Sequence, residues 1–132
     1  MKSAKVNAVP AIKSIAPQFL VDDLERATAC YRDKLGFEVD FIYESFYASV
    51  SRNGASIHLK CAPKTMADRD NRRANEHLDA YIDVSDIDAL FSDLSARGAN
   101  VTRGLEDQPW QCRDFYVEDV DGHILCFSEG GA

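Results

Sequence analysis

The chain has 132 residues, 45% of them hydrophobic, with 22 acidic against 15 basic side chains and a net charge of −7. That size fits one domain able to bury a core without disulfides or a structural metal, and no apolar run reaches the roughly 20 residues of a membrane span. The negative balance argues against nucleic acid and anionic membranes as partners, and no apolar stretch follows Lys2, Lys5 and Lys13 as a secretory leader requires, so a cytoplasmic protein is expected.

Pro17 precedes the first predicted strand, Phe19-Leu20-Val21, where a missing amide proton costs least. Asp22 or Asp23 then caps a helix whose apolar stripe is Leu24, Ala27, Tyr31 and Leu35, and Gly36 ends it. Three strands follow, Glu38 to Glu44, Phe46 to Arg52 and Ala55 to Cys61; period-two alternation puts Ile57, Leu59 and Cys61 on one face and Ser56, His58 and Lys60 on the other. From Pro63 to Asn75 the pattern dissolves into Lys, Asp, Arg and Asn, which predicts a solvated linker. A second helix is capped by Ser85 or Asp86, carries the stripe Ile87, Leu90, Phe91 and Leu94, and stops at Gly98. The last strands are expected over Asn100 to Arg103, Arg113 to Glu118 and His123 to Ser128.

The chain therefore repeats itself. Phe19 to Leu59 and Ile82 to Phe127 follow one plan of strand, helix and hairpin, with turns at Arg52-Asn53-Gly54 and Val120-Asp121-Gly122 whose Asn, Asp and Gly tolerate positive φ. This predicts an α+β domain over 1–132, with module 1 at about 16–62, a linker at about 63–76 and module 2 at about 77–129. Two such units are expected to enclose a cleft with the helices on the outer side. The cysteines, Cys30, Cys61, Cys112 and Cys126, are scattered without a C-x-x-C pair and fit reduced thiols.

Val21-Asp22-Asp23-Leu24, Tyr31 with Lys34-Leu35-Gly36-Phe37, Val84-Ser85-Asp86-Ile87-Asp88-Ala89-Leu90, Gly98-Ala99 and Asp119-Val120-Asp121-Gly122-His123 together resemble the vicinal oxygen chelate superfamily of glyoxalases, bleomycin resistance proteins and dioxygenases. The resemblance runs from about Pro17 to Glu129 and implies paired βαβββ modules wrapping a half-open barrel-like sheet around a cleft. Asp40-Phe41 and Gln108-Pro109-Trp110 before Arg113-Asp114-Phe115 are most similar to the bleomycin resistance proteins, with departures at Gln111, usually glycine, and Val120, usually proline. That branch implies a homodimer that sequesters a cationic glycopeptide at the subunit interface without chemistry, hence a metal-free binding protein tied to bleomycin-like antibiotic resistance.

The superfamily's enzymes instead take one metal ligand from each of four strands. Counting back from Val21 and Val84 and forward from Gly54 and Gly122 puts those slots at Ala16, Asp79, His58 and Cys126. Ala16 has no donor atom. His58, Asp79 and Cys126 remain as an N, O, S set for one divalent metal ion, with His77 replacing Asp79 if the register shifts by two, and they support an alternative metal-dependent lyase, isomerase or dioxygenase. Without metal, His58 beside Asp79 is a candidate proton-transfer pair or a structural hydrogen bond. His123, next to a turn, is expected to be solvated.

A binding cleft has more residues in its favour. Tyr47, Tyr81 and Trp110, with Tyr43 and Tyr116 beside them, offer flat faces to a small hydrophobic, aromatic or cationic ligand. Trp110 follows the polar run Glu106-Asp107-Gln108-Pro109, where no core period asks for an indole; ligand stacking and packing across a dimer interface explain it equally well. The expected ligand set is Tyr47, His58, Asp79, Tyr81, Trp110 and Cys126.

Overall fold

The computed structural model describes residues 10–62, 74 and 77–130. The predicted linker, 63–76, lies outside the described residues apart from residue 74.

Module 1 comprises β1 (Gln18–Val21), α1 (Leu24–Asp33), β2 (Glu38–Tyr43), β3 (Tyr47–Arg52) and β4 (Ala55–Cys61); module 2 comprises β5 (Ala80–Asp83), α2 (Ile87–Ala96), β6 (Asn100–Gln108), β7 (Cys112–Glu118) and β8 (Ile124–Gly130). Each module folds into a four-stranded mixed sheet, ordered β1-β4-β3-β2 and β5-β8-β7-β6, and neither closes into a barrel. The parallel pairs are β1 with β4 and β5 with β8, and the remaining neighbours are antiparallel hairpins. The α+β class and the duplicated plan are those expected from the sequence. The main difference lies in β6, predicted to stop at Arg103 but running to Gln108 through register shifts at Val101/Arg103 and Arg103/Glu106. Bulges break the period-two pattern that marks a strand in sequence.

In each sheet one face carries the core. Ala48 and Val50 of β3 pair with Leu59 and Ile57 of β4, and all four are buried against α1, whose Leu24, Ala27 and Tyr31 supply the facing stripe. Phe115 and Val117 of β7 pair with Phe127 and Leu125 of β8 and repeat the design, with Phe91 of α2 edge-on to Phe115 at 5.1 Å. A single cluster of buried residues takes in both modules, so their helix-side faces share one core.

The two helices start differently. Asp23 is extended (φ −138°) and its carboxylate accepts the Arg26 amide at 3.1 Å, an ordinary N-cap. Asp86, at the matching position, sits at φ 56° and makes no such bond. A cap must be extended for its side chain to reach back over the first turn, so the left-handed backbone swings this one away. Glu129 of β8 replaces it, accepting the Ile87 amide at 3.0 Å. Glu129→Ala is expected to cost about 1 kcal/mol in urea unfolding, whereas Asp86→Gly is expected to be neutral or stabilising. A costly Asp86→Gly alongside a harmless Glu129→Ala would reverse this assignment.

The modules are joined by their turns. His123 is 8% exposed, stacks on Phe19 with ring centroids 4.4 Å apart and bonds Asp119 through Nδ1 at 2.8 Å. The expectation of a solvated His123 is therefore corrected, because this turn docks into the corner between β1 and α1 instead of facing water. Asp119 also accepts the Tyr31 hydroxyl at 2.7 Å and the amides of Asp121 and His123 at 2.9 Å each. Asp121 accepts the Asp22 amide through Oδ1 at 3.1 Å and lies 3.7 Å from the Arg26 guanidinium, while its Oδ2 is buried without a hydrogen bond. On the far side, Arg52 donates to the Leu35 carbonyl at 2.7 Å and to Asp93 at 3.3 Å.

Burial raises the pKa of Asp121, which means the folded state disfavours its charge. A carboxyl whose folded pKa lies above its unfolded value contributes most when protonated, and that contribution is lost as pH rises through the elevated pKa. Asp121→Asn, which keeps an oxygen for the Asp22 amide, is therefore expected to gain stability relative to the parent at pH 7 and to lose that gain near pH 3. An equal difference at both pH values would show that the charge is not the cause.

Candidate functional site

Away from the helices each sheet presents a second, polar face. In module 1 the alternation turns Tyr47, Ser49 and Ser51 of β3 to this face, with Ser49 buried within it, opposite Lys60, His58 and Ser56 of β4 and with Gln18 directly across from His58 on β1. Gln18 donates to the Tyr47 hydroxyl at 3.0 Å, and that hydroxyl lies 2.9 Å from His58 Nδ1. With the phenol oxygen already accepting from Gln18, its proton is available to Nδ1. At the bulge in β2, Asp40 accepts the hydroxyls of Ser49 (2.9 Å) and Ser51 (2.7 Å). Beyond it, Phe41 and Tyr43 register with Ser49 and Tyr47, so two exposed aromatic residues border this face.

In module 2 the corresponding face carries Asp114 and Tyr116 of β7 opposite Ser128 and Cys126 of β8, with Tyr81 across from Cys126 on β5. The Tyr81 hydroxyl donates to Ser128 Oγ at 2.9 Å. Arg103 lies over the Tyr116 ring, 4.1 Å from its centroid, and forms a short ion pair with Asp114, which also accepts from Gln108 Nε2 at 3.1 Å. Asp114 is 3% exposed, so pairing with Arg103 offsets the cost of burying its charge. A cavity of about 460 Å³ lies beside this network, lined by Thr102, Arg103, Glu106, Gln108, Trp110, Tyr116 and Ile124.

Trp110 occupies the β6–β7 turn and is 65% exposed. The turn is closed by the Gln111 amide donating to the Gln108 carbonyl at 3.0 Å, with Gln111 at φ 68°. That is a left-handed position at which glycine is unstrained, which gives a physical reason for the family's usual glycine but none for the glutamine here. Gln111→Gly is expected to stabilise the hairpin by about 0.5 kcal/mol while leaving the Trp110 environment intact, readable as a higher urea midpoint with unchanged indole emission.

The fold brings Tyr47 together with His58, and Tyr81 with Ser128 beside Cys126, while Trp110 stands over the module 2 cavity. These groups lie on different sheets, and no hydrogen bond among the described residues links them. The expected His58–Asp79 pair is not formed: His58 is taken by Tyr47, and the Asp79 carboxylate accepts the Ile124 amide at 2.8 Å. The modules meet through their helix sides, so the two polar faces are separate surfaces of one chain.

Within one chain the described residues do not assemble a metal centre of the superfamily type. Ala16 offers no donor, one oxygen of the Asp79 carboxylate accepts a backbone amide, and burial pushes the Cys126 thiol up to about 12, so it is a neutral thiol in the metal-free chain. Among the described residues no three His, Cys, Asp or Glu side chains are grouped to hold a metal ion, so His58, Asp79 and Cys126 are not assembled as ligands by one chain, and the exposed His77 joins no such group. Arg103, Gln108 and Asp114 were missed as functional candidates. Their signal was present in the alternation of Asp114 and Tyr116 with buried Phe115 and Val117, but reading it toward Arg103 and Gln108 required the true length of β6.

A sequence model described as the glyoxalase/bleomycin resistance protein/dioxygenase superfamily matches residues 11–127. Bleomycin resistance proteins of Geobacillus stearothermophilus and Staphylococcus aureus are 29% identical over 122 residues, covering 84% of this chain and 92% of theirs. Among solved structures, TioX from Micromonospora sp. ML1 aligns with a TM-score of 0.65 at 25% identity over 91% of this chain and 98% of that one. The bleomycin-binding protein of bleomycin-producing Streptomyces verticillus, complexed with copper(II)-bleomycin, aligns with a TM-score of 0.69 at 22% identity over 94% and 99% of the two chains.

Proposed function

Because the chain belongs to the glyoxalase/bleomycin resistance protein/dioxygenase superfamily, we propose that it is a metal-free binding protein that sequesters a small molecule without altering it. The observation that carries this is Trp110, an exposed indole standing over a 460 Å³ cavity whose wall includes the Tyr116 ring. A cavity of that size with an aromatic rim and a few fixed polar groups suits a small planar ligand. Arg103 and Glu106, 3.7 Å apart in the wall, balance each other, and the net charge of −7 favours a cationic one. Kinship with the bleomycin resistance proteins makes a bleomycin-like antibiotic the first ligand to try, in the cytoplasm as the place of action.

The working unit in this proposal is a homodimer. Leu20, Phe41, Tyr43 and Phe46 on module 1 and Tyr81 and Trp110 on module 2 are all more than two-fifths exposed, a large apolar area for a single chain to leave in water. Setting the open face of β1–β4 from one copy against that of β5–β8 from another covers both and builds two clefts, each with Tyr47 and His58 on one wall and Asp79, Tyr81 and Trp110 on the other, with the buried Cys126 beneath that wall. The test is titration of bleomycin, with and without copper(II), followed by indole fluorescence, together with light scattering on the eluting protein. Saturable quenching and a mass of twice 14.7 kDa are expected. A monomer with no saturable quenching sinks the proposal, and a divalent metal on the purified protein that is lost in His58→Ala replaces it with the metalloenzyme.

A further inference from the structure

The duplication lets the two joints between modules be compared position by position. Matching Gly54 with Gly122 sets Ala55 against His123, and matching Val21 with Val84 sets Phe19 against Ile82. At the filled joint, the His123 imidazole stacks on Phe19 at 4.4 Å and Asp121 holds the Asp22 amide. At its counterpart, the turn at Asn53 and Gly54 meets the corner between β5 and α2 with a methyl group in place of the imidazole and an isoleucine in place of the phenyl ring. The stacked imidazole and phenyl ring of the first joint have no counterpart here, although a cavity of about 520 Å³ lined by Arg26, Cys30 and Asp119 borders that first joint. A cavity of about 560 Å³ opens at the second joint, and both replaced positions, Ala55 and Ile82, are in its wall together with Phe37, Leu90 and Phe127.

The charge around this cavity has one sign in excess. Asp83, Asp86 and Asp93 border it with Arg52, and Asp93 is also paired with Arg97 at 3.1 Å, so Asp83 and Asp86 carry the excess. The Arg52 guanidinium is committed to the Leu35 carbonyl and to Asp93. Asp86 is released from helix capping, because Glu129 holds the Ile87 amide in its stead. At the filled joint the chain places a ring able to carry positive charge among buried carboxylates, with His123 Nδ1 2.8 Å from Asp119. The open joint keeps the acidic surroundings and lacks the ring.

We infer that this cavity is a second binding site, separate from the proposed cleft and on the helix side of the sheets, for a compact organic cation carrying one flat ring. The ring takes the place that the His123 imidazole occupies in the sister joint, against Ile82, Phe37 and Phe127, and the acidic rim meets its charge. A volume of 560 Å³ lies within the range of small-ligand sites. The site owes nothing to dimer formation, since every residue in its wall comes from one chain.

The test is titration of phenethylammonium into the ¹⁵N-labelled full chain, with phenylacetate as an anion of similar shape, following the amides of Ala55, Ile82 and Leu90. Saturable shifts at roughly millimolar cation are expected, consistent with the affinity open to so small a ligand. Ala55→His, which supplies the missing imidazole, is expected to abolish them. Asp86→Asn, an exposed change that leaves the core untouched, is expected to weaken the cation roughly threefold. Absence of saturation, equal binding of phenylacetate, undiminished shifts in a folded Ala55→His, or unchanged affinity in Asp86→Asn would each overturn the inference.

Discussion

Asp119→Ala is expected to be the most damaging single polar substitution in the chain, lowering stability by about 4 kcal/mol. Asp119 is 5% exposed and holds four groups at once: the Tyr31 hydroxyl, the His123 ring and the amides of Asp121 and His123. Removing it leaves those donors without partners where water does not reach them, and each unsatisfied donor costs about 1 kcal/mol or more. Tyr31 is the worst placed, since its phenol is fully buried and burial next to Asp119 holds its pKa well above the usual value. Tyr31→Phe removes donor and demand together and is expected to cost only about 1 kcal/mol. The comparison by urea unfolding is decisive. If Asp119→Ala costs no more than Tyr31→Phe, the carboxylate is not the hub of the joint.

Trp110→Ala is expected to weaken binding of the cleft ligand by about 2 kcal/mol or more, close to a thirtyfold loss, with stability unchanged within about 0.5 kcal/mol. The two readouts separate because Trp110 is 65% exposed on a turn and outside the buried core, so removing the indole leaves no cavity behind. Calorimetry is the appropriate measurement, as the substitution removes the only tryptophan and with it the fluorescence signal. An affinity that does not move would take Trp110 out of the ligand site and favour a packing role between copies. A large fall in stability would instead mean that the indole is covered within the folded protein.

Much of the fold was legible because it rests on local patterns. The stripe Leu24, Ala27, Tyr31 and Leu35 marked α1, and all four are buried; the alternation in β4 correctly set Ile57 and Leu59 inward and His58 outward. The equivalence of Val21 with Val84 and of Gly54 with Gly122 matches the observed registers, which set Gln18 against His58 and Tyr81 against Cys126. Where tertiary contacts override local pattern, the sequence was silent or misleading. Asp86 has the composition of an N-cap but not the backbone, and the true cap comes from Glu129, 43 positions later in the chain than Asp86. The bulges that carry β6 to Gln108 hid the Arg103–Asp114–Gln108 network for the same reason.

The sequence alone determined the duplicated α+β plan, its helices and its hairpin turns, because these follow from the spacing of apolar side chains and from the few residues that accept positive φ, while the superfamily was legible through the resemblance of its motifs. Only the tertiary structure decided which faces meet. The turn around Asp121 carries a histidine that stacks on Phe19, so it buries itself and ties module 2 to α1; the turn around Asn53 carries an alanine at that place and leaves a cavity. Those contacts join the modules through their helix sides and leave Tyr47 and His58 in one module and Asp79, Tyr81, Trp110 and the buried Cys126 in the other. Spacing along a chain records which side of a strand a residue takes, but the direction in which two finished sheets are pressed together depends on how their side chains fill the space between them.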